Sequence, residues 1–327
     1  MTEKLRWGIL ATGNIARKFA TGLTALDDAE ILAVGSRTLE SADRFGDQFD
    51  IPRRYADYET LANDPDVDAI YIGTPHTFHK ENALLCLRHG KAVLCEKPFT
   101  INAAEAREVI AAARARNLFL MEAMWTRYLP LVVEMKRMVD DGVIGDVRMI
   151  TADFGYRAGF NPTSRTFDPA LGGGALLDVG IYPLSLASML LGTPEAMASL
   201  AELGETGVDE QAGMVLRYAG GRMAVLHTAI RTSTPHEALI MGTDGWIRIH
   251  SPWWVPTAMT ITKPGQEPQT VEIPFVGNGY NYEADEVHKC LRRGHTESAL
   301  MPLDETLTLM ETMDTLRAQW GMKYPGE

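Results

Sequence analysis

Through roughly the first 120 residues, short apolar runs alternate with amphipathic stretches, the pattern of strands and crossover helices in a parallel sheet. Leu5 to Ala11, Ile31 to Gly35, Ala69 to Gly73, Ala92 to Cys95 and Leu118 to Met121 read as strands. Between them, Ile15 to Leu26, Ser41 to Phe49, Lys80 to His89 and Ala103 to Arg116 read as helices of crossover length. From about Val147 the period becomes two, over Arg148 to Gly155, Gln211 to Tyr218, Arg222 to Arg231, Glu237 to Met241, Trp246 to His250 and Thr257 to Thr262. The clusters Tyr218-Ala219-Gly220-Gly221-Arg222 and Gly242-Thr243-Asp244-Gly245 mark turns, so this sheet reads as an antiparallel meander. Helical stretches at Ala175 to Leu191, Tyr282 to Arg293 and Asp304 to Gly321 accompany it. The expected fold class is α/β, with a doubly wound parallel sheet over residues 1–122 and an α+β domain over 123–327 built on a large open, mostly antiparallel sheet. The final helix is placed to pack back on the first domain. One face of the open sheet, assigned Met214, Leu216, Met223, Val225 and Leu239, is too apolar for solvent and points to a homodimer.

At 327 residues the chain exceeds one ordinary hydrophobic core, which agrees with two domains. Lys plus Arg number 31 against 43 for Asp plus Glu, a formal charge of −12 that argues against nucleic acid or an anionic membrane as partner. An anionic cofactor therefore needs a local basic patch. No apolar stretch is expected to approach the roughly 20 residues of a membrane span, and Met1-Thr2-Glu3-Lys4-Leu5 lacks a secretory apolar core, so a cytoplasmic protein is expected. Cys86, Cys95 and Cys290 are odd in number and widely spaced, which suits reduced structural thiols.

The first strand runs into Ala11-Thr12-Gly13-Asn14-Ile15-Ala16, a dinucleotide fingerprint GxGxx(G/A) with alanine in the first glycine position. Gly13 is where the backbone must approach a pyrophosphate, and Ala16 still allows tight helix packing. This makes the first domain a Rossmann domain by expectation, with Thr12, Gly13, Asn14 and Ile15 at the cofactor. The second strand ends in Gly35-Ser36-Arg37-Thr38, where an NAD site usually has Asp or Glu. Ser36 and Arg37 instead suit a 2′-phosphate, which favours NADP, with NAD still accessible because Arg also stacks on adenine. After the fourth strand, Cys95-Glu96-Lys97-Pro98 occupies the carboxyl edge that faces the ligand crevice. An ammonium there can stabilise a deprotonated hydroxyl.

The fingerprint, Gly73-Thr74-Pro75-His76-Thr77-Phe78-His79, Glu96-Lys97-Pro98 and Gly172-Gly173-Gly174-Ala175-Leu176-Leu177-Asp178-Val179-Gly180-Ile181-Tyr182 together resemble the Gfo/Idh/MocA oxidoreductase family in order and spacing. Met121-Glu122-Ala123-Met124-Trp125-Thr126-Arg127-Tyr128-Leu129-Pro130, and Tyr182 where most members place His, look most like the branch of dimeric dihydrodiol dehydrogenases, D-xylose dehydrogenases and glucose–fructose oxidoreductase. The resemblance implies that Tyr182 exchanges a proton with the reacting oxygen, that Lys97 lowers its pKa, and that Asp178 binds a neighbouring substrate hydroxyl. It also places Thr74, Pro75, His76, His79, Glu96, Lys97 and Trp125 at the cofactor. Asp178 and Tyr182, four residues apart, share one face if the segment is an α-helix, and the preceding glycines are expected to let backbone approach a ligand. The glycines of this run aside, each position has a plain alternative: Tyr182 as a core aromatic, Asp178 as a structural carboxylate, His79 as a surface residue. Trp125 and Arg127 suit either a substrate entrance or packing, and Trp253-Trp254 either a sugar face or a dimer contact.

Among eight histidines there is no HExxH pair, and there is no GxSxG elbow, so neither a metal nor a serine hydrolase is expected. The activity expected is hydride transfer between NADP and a small carbohydrate or diol; the alternatives are NADPH-dependent reduction of a keto sugar or dicarbonyl, and a silent NADP-sensing regulator. The presence of Lys97, Asp178 and Tyr182 together favours the enzyme over the regulator.

Overall fold

A computed structural model describes residues 4–327, which leaves the first three positions of the start segment outside the described residues. The described residues divide into two compact units, 4–128 with 276–307, and 129–275 with 308–327.

In the first unit, strands β1 (Leu5–Leu10), β2 (Ala29–Gly35), β3 (Arg53–Tyr55), β4 (Ala69–Ile72), β5 (Ala92–Glu96) and β6 (Leu120–Ala123) form a parallel sheet in the order β3-β2-β1-β4-β5-β6. This is the doubly wound dinucleotide-binding order, with its switch point between β1 and β4. Strands β4, β5 and β6 are buried along their whole length, which is why they read as near-continuous apolar runs rather than alternating ones. Helices α1 (Asn14–Leu23), α2 (Leu39–Phe49), α3 (Tyr58–Ala62), α4 (His79–Arg88) and α5 (Ala103–Arg116) connect them. Thr38, Asp57 and Asn102 cap α2, α3 and α5 by accepting a backbone N–H three residues on. Strand β3 and helix α3, three and five residues long, are too short to carry a period and were not expected from the sequence.

The unit boundary differs from a division at residue 122. Val276–Leu307, which includes helix α8 (Asn281–Arg292), clusters with the first unit. Its anchors are polar as well as apolar: the indole of Trp7 donates to His288 Nε2 (3.0 Å), Asn278 donates to the Lys18 carbonyl (2.7 Å), and Arg292 pairs with Asp28 (2.6 Å). Helix α9 (Leu303–Trp320) begins in this unit and continues into the second.

In the second unit, α6 (Pro130–Asp140) precedes an eight-stranded sheet of β7 (Val147–Gly155), β8 (Ala196–Leu203), β9 (Asp209–Tyr218), β10 (Arg222–Ala229), β11 (Ala238–Gly242), β12 (Trp246–Ile249), β13 (Ala258–Thr262) and β14 (Gln269–Glu272). Its order is β14-β13-β12-β11-β7-β10-β9-β8. The sheet is mostly antiparallel as expected, but it is two meanders joined by β7, the first strand in sequence, which pairs in parallel with β10. Leu216 and Met214 pair with Ala224 and Leu226 and are buried, so they face the core; the open face carries Val215 and Val225, both more than one-third exposed. The expected open-face set was thus wrong for Met214 and Leu216, because on a strand of period two a one-residue slip reverses the face.

A five-residue π-turn, Leu176–Gly180, leads into α7 (Ile181–Leu191). Contrary to the expectation for apolar stretches, the helical run Pro169–Leu191, at 23 residues, is long and apolar enough to cross a membrane by length and composition. Its apolar window is 89% buried in the protein, the property of a helix that is hydrophobic all round because it is enclosed by its own chain.

Candidate active site

The carboxyl edge of the parallel sheet gathers the sequence motifs of the first unit. At the end of β1, Ala11 adopts φ +88°, the left-handed region that the first fingerprint glycine normally supplies. Gly13 has an ordinary φ of −74°, and a Cβ built on it would meet nothing within 4 Å. Nothing within the protein requires glycine there, so the open space leaves an approach for a ligand. The start of α1 lies directly beyond, without a side-chain cap and without an acidic residue in its first turn. Its amides are therefore available to an anion, and the site fits a dinucleotide pyrophosphate. Beyond the ends of the neighbouring strands β1 and β2, Thr12 Oγ1 and Ser36 Oγ approach to 3.4 Å. Arg37, exposed just after β2, makes no ion pair among the described residues.

Beyond β4 and β5 the structure assigns tasks that differ from those expected. His79 is fully buried, with Nδ1 2.9 Å from the Pro98 carbonyl and Nε2 2.9 Å from the Thr74 carbonyl. A neutral imidazole donates to one of these carbonyls and an imidazolium to both, so the ring is placed to tie the Thr74 loop to the Lys97-Pro98 turn. Burial pulls its pKa down while the two carbonyls oppose that pull. Glu96 is also buried: Tyr71 donates to its Oε1 (2.6 Å) and the Lys97 N–H to its Oε2 (3.1 Å). Glu283 on α8 lies near this carboxylate, fully buried, with neither oxygen hydrogen-bonded. Burial, and then the charge of Glu96, push its carboxyl well above the usual range, which favours the protonated acid at Glu283. Lys97 itself is half-buried on the turn that Glu96 and His79 fix from two sides. Thr74 and His76 are buried on the loop leading into α4, Pro75 is half-buried between them, and Thr74 Oγ1 accepts from Asn82 (3.2 Å). After β6, Trp125 stacks on Tyr280 at 4.5 Å, while Arg127 is buried and donates to Glu305 (2.6 Å) and the Leu300 carbonyl (3.1 Å). Arg127 is thus a structural ion pair and not an entrance residue.

The second unit builds the other constellation around the π-turn. Asp178 is 7% exposed; Tyr156 donates to its Oδ2 (2.7 Å) and Arg165 to its Oδ1 (2.9 Å). The substrate hydroxyl expected at Asp178 meets a carboxylate already committed to two protein donors, so its first task is to hold them in place. Burial, followed by the nearby Asp178 charge, raises the Tyr156 pKa, so this phenol stays a donor. Tyr182, also 7% exposed, lies 5.3 Å from the Phe154 ring, and Phe154 stacks on Trp254 at 3.5 Å with His236 edge-on. Trp254 and Phe154 thus make an aromatic stack next to Tyr182. The adjacent Trp253 is core: it is 1% exposed and donates to the Asp153 carbonyl (2.6 Å). Because Leu176–Gly180 is a π-turn, Asp178 and Tyr182 do not have the simple α-helical spacing expected; such turns recur where a helix is re-aimed at a functional position.

The glycine run has an internal reason. A Cβ on Gly173 would fall 2.8 Å from the Thr166 carbonyl, and one on Gly174, whose φ is +116°, would lie within 2.3 Å of Asp209 Oδ1. The close approach is to the chain itself and not to a ligand. Asp209 in turn accepts from the Leu176 N–H (2.7 Å), and burial pushes its carboxyl to about 7. Tyr156, Phe154, Arg165 and Glu283 were not singled out from the sequence. Alternation along β7 puts Phe154 and Tyr156 on one face, a usable signal; Arg165 and Glu283 act across non-local contacts that leave no local mark. Among the described residues, no group of three or more His, Cys, Asp or Glu side chains is arranged to hold a metal. Cys86, Cys95 and Cys290 are free and buried.

Residues 5–124 match the model of an oxidoreductase family with an NAD-binding Rossmann fold, and residues 132–248 match the GFO/IDH/MocA C-terminal domain. The trans-1,2-dihydrobenzene-1,2-diol dehydrogenase of Xenopus tropicalis is 40% identical, over 98% of this chain and 99% of that protein. Among solved structures, an aldose-aldose oxidoreductase from Caulobacter crescentus complexed with glycerol superposes with a TM-score of 0.89 at 27% identity, covering 98% of each chain. A 3-ketoreductase from Actinomadura kijaniata in complex with NADP and TDP-benzene does so with 0.86 at 25% identity, covering 97% of this chain and 98% of its own. With both halves matched in order and full-length identity of this size, the chain belongs to the GFO/IDH/MocA oxidoreductase family.

Proposed function

We propose that this oxidoreductase uses NADP and acts on the hydroxyl-bearing carbon of a small cyclic diol or aldose. The observation that carries the reading is the aromatic stack beside Tyr182: the half-buried Phe154 and Trp254 rings lie face to face and leave an outer ring face near the polar group Tyr156-Asp178-Arg165. A ring with one apolar face and hydroxyls on its edge is the complement of such a surface. The names of the relatives, a dihydrobenzenediol dehydrogenase and an aldose-aldose oxidoreductase, support the same substrate class. For the cofactor, Arg37 supplies an unpaired cation after β2 where an NAD site would present a carboxylate, which supports a bound 2′-phosphate.

When bound, the dinucleotide supplies the hydride acceptor or donor. The chain's own residues do the rest: the first amides of α1 with Thr12 to Ile15 bind the diphosphate, and Ser36 with Arg37 the 2′-phosphate. Tyr182 takes up or returns the hydroxyl proton at its phenolic oxygen. Asp178 keeps Tyr156 and Arg165 oriented toward the substrate, the Tyr156 oxygen as an acceptor from a substrate hydroxyl and the remaining Arg165 N–H groups as donors.

The test is reduction of NADP⁺ and of NAD⁺ with trans-dihydrodiols and aldoses, read by absorbance, together with cofactor binding by fluorescence quenching. Turnover is expected with NADP⁺. The Tyr182→Phe variant should lose almost all turnover and keep NADPH binding; near-normal kcat in that variant would remove Tyr182 from the proton transfer. Tight NADPH binding without turnover in either direction would favour a silent sensor. The open sheet face, with Val215, Val225, Met149 and Trp246 each more than one-third exposed, also supports a homodimer, and a monomer by light scattering at micromolar concentration would refute it.

A further inference from the structure

In the second unit, beside Tyr156 in the chain, Arg157 and Arg231 lie opposite each other on an isolated antiparallel bridge. Like charges directly opposite on paired strands repel. The compensation is thin: Arg231 Nε stands 3.6 Å from Glu210 Oε2, beyond hydrogen-bond distance, and Arg157 makes no ion pair among the described residues. Two guanidiniums against one carboxylate leave a local positive excess, in a chain whose formal charge is −12. Moreover, Arg231 Nη1 is buried without a hydrogen-bond partner among the described residues, while the side chain as a whole is 38% exposed. An unsatisfied, buried, charged donor is costly, and its persistence calls for an acceptor.

The surroundings have the form of a receptor. Arg157, Ala158, Gly159, Phe160 and Arg231 line a cavity of about 320 Å³. The Arg231 guanidinium sits over the Phe160 ring at 5.4 Å and over the Phe167 ring at 5.7 Å. Cation–π contacts on two rings, together with Glu210, fix its plane before any ligand arrives. Phe167 is buried core, whereas Phe160 is 39% exposed and presents its ring to the cavity. A Cβ on Gly159 would meet nothing within 4 Å, so the rim is open.

We infer that the Arg157–Arg231 pair is a binding site for an oxyanion carried on a small organic body, a carboxylate or a phosphate monoester, with Phe160 flanking that body. Planar guanidinium forks match both anions, and a ligand charge removes the repulsion between the two arginines. The site lies wholly in the second unit and is independent of the reading of Lys97 and Tyr182.

The test is isothermal titration of the full-length protein with phenyl phosphate and, separately, with benzoate. Saturable binding of at least one of them is expected, and which one binds identifies the anion. Arg157→Met removes an exposed, unpaired side chain and should leave the fold intact while weakening that binding by about tenfold or more. Loss on adding Arg231→Met would complete the assignment. Unchanged binding in Arg157→Met would overturn it, as would failure of both probes to bind saturably. Failure of both probes combined with a change of oligomeric state in Arg157→Met would instead give the pair to an interface between copies of the chain, and the proposal would equally fall.

Discussion

Removing the Tyr156 hydroxyl tests whether Asp178 acts by holding its neighbours. In Tyr156→Phe the ring keeps its packing while the hydroxyl loses its 2.7 Å bond to Asp178 Oδ2 and its contact with Thr166. A hydrogen bond to a charged acceptor contributes about 1.5–3 kcal/mol. Here the carboxylate is 7% exposed, but it keeps a partner in Arg165, whose side chain is 47% exposed, so the lower end applies. Expressed in the transition state, this is about a tenfold fall in kcat/KM. Asp178→Asn replaces one acceptor oxygen with an amide donor facing Tyr156 or Arg165 and should lose more, about a hundredfold. The double variant is the informative one. If Tyr156 acts through Asp178, adding Tyr156→Phe to Asp178→Asn costs little further, giving a coupling of about 1.4 kcal/mol or more in the cycle. The assay is steady-state kinetics with NADP⁺ for all four proteins, with cofactor binding measured alongside and expected to be unchanged. Strictly additive losses would show that the two side chains act separately and would refute the positioning argument.

Arg37→Ala should raise KM for NADP⁺ about tenfold or more and leave that for NAD⁺ nearly unaltered; an equal change for both cofactors would make Arg37 an adenine-stacking residue. Gly174→Ala places a methyl 2.3 Å from Asp209 Oδ1 at φ +116°. It should cost about 3 kcal/mol or more, seen as a lowered midpoint in urea unfolding, and a loss below about 1 kcal/mol would contradict the geometry. Burial raises the Asp209 carboxyl from 3.8 to about 7, so the folded chain holds a proton that the unfolded chain releases over that range. Its contribution is therefore fully present below about pH 4 and lost as pH rises towards 7, by up to about 4 kcal/mol. Asp209→Asn should flatten the fall of Tm between those limits, although Glu122, also pushed to about 7 by burial, leaves a residual slope of the same sign. An unchanged Tm profile would show that Asp209 titrates normally.

The sheet architecture was legible because it rests on short-range signals. The apolar runs of β1, β4 and β5 and the period of two along β9 and β10 are written into consecutive residues. Strand β8 escaped notice because as an edge strand it alternates only between exposed and half-buried positions, with little hydrophobic contrast. The motifs single out Gly13, Lys97, Asp178 and Tyr182 but carry no sign of the hydrogen bonds that the residues between them make. His79 and Glu96 stand next to ligand-facing positions in the sequence, yet their partners, the Thr74 and Pro98 carbonyls and the Tyr71 hydroxyl, come from other loops and strands. Their tasks are decided by which groups the fold brings within 3 Å, and no local pattern encodes that. Gly173 and Gly174 illustrate the same limit: a glycine demanded by the chain's own crowding looks identical in sequence to one cleared for a ligand.

The membership of Val276–Leu307 in the first unit has a consequence for biosynthesis. As the polypeptide leaves the ribosome, the six strands of the dinucleotide-binding sheet are available early, but the indole of Trp7 and the carboxylate of Asp28 wait for His288 and Arg292, more than 250 residues further along. Domains usually complete themselves in the order of synthesis. Here the second unit is fully synthesised, apart from its last segment, before the first can close. A nascent chain halted after the eight-stranded sheet would therefore present an open flank on its amino-terminal half, and chaperones or proteases would meet that flank before they met a finished enzyme.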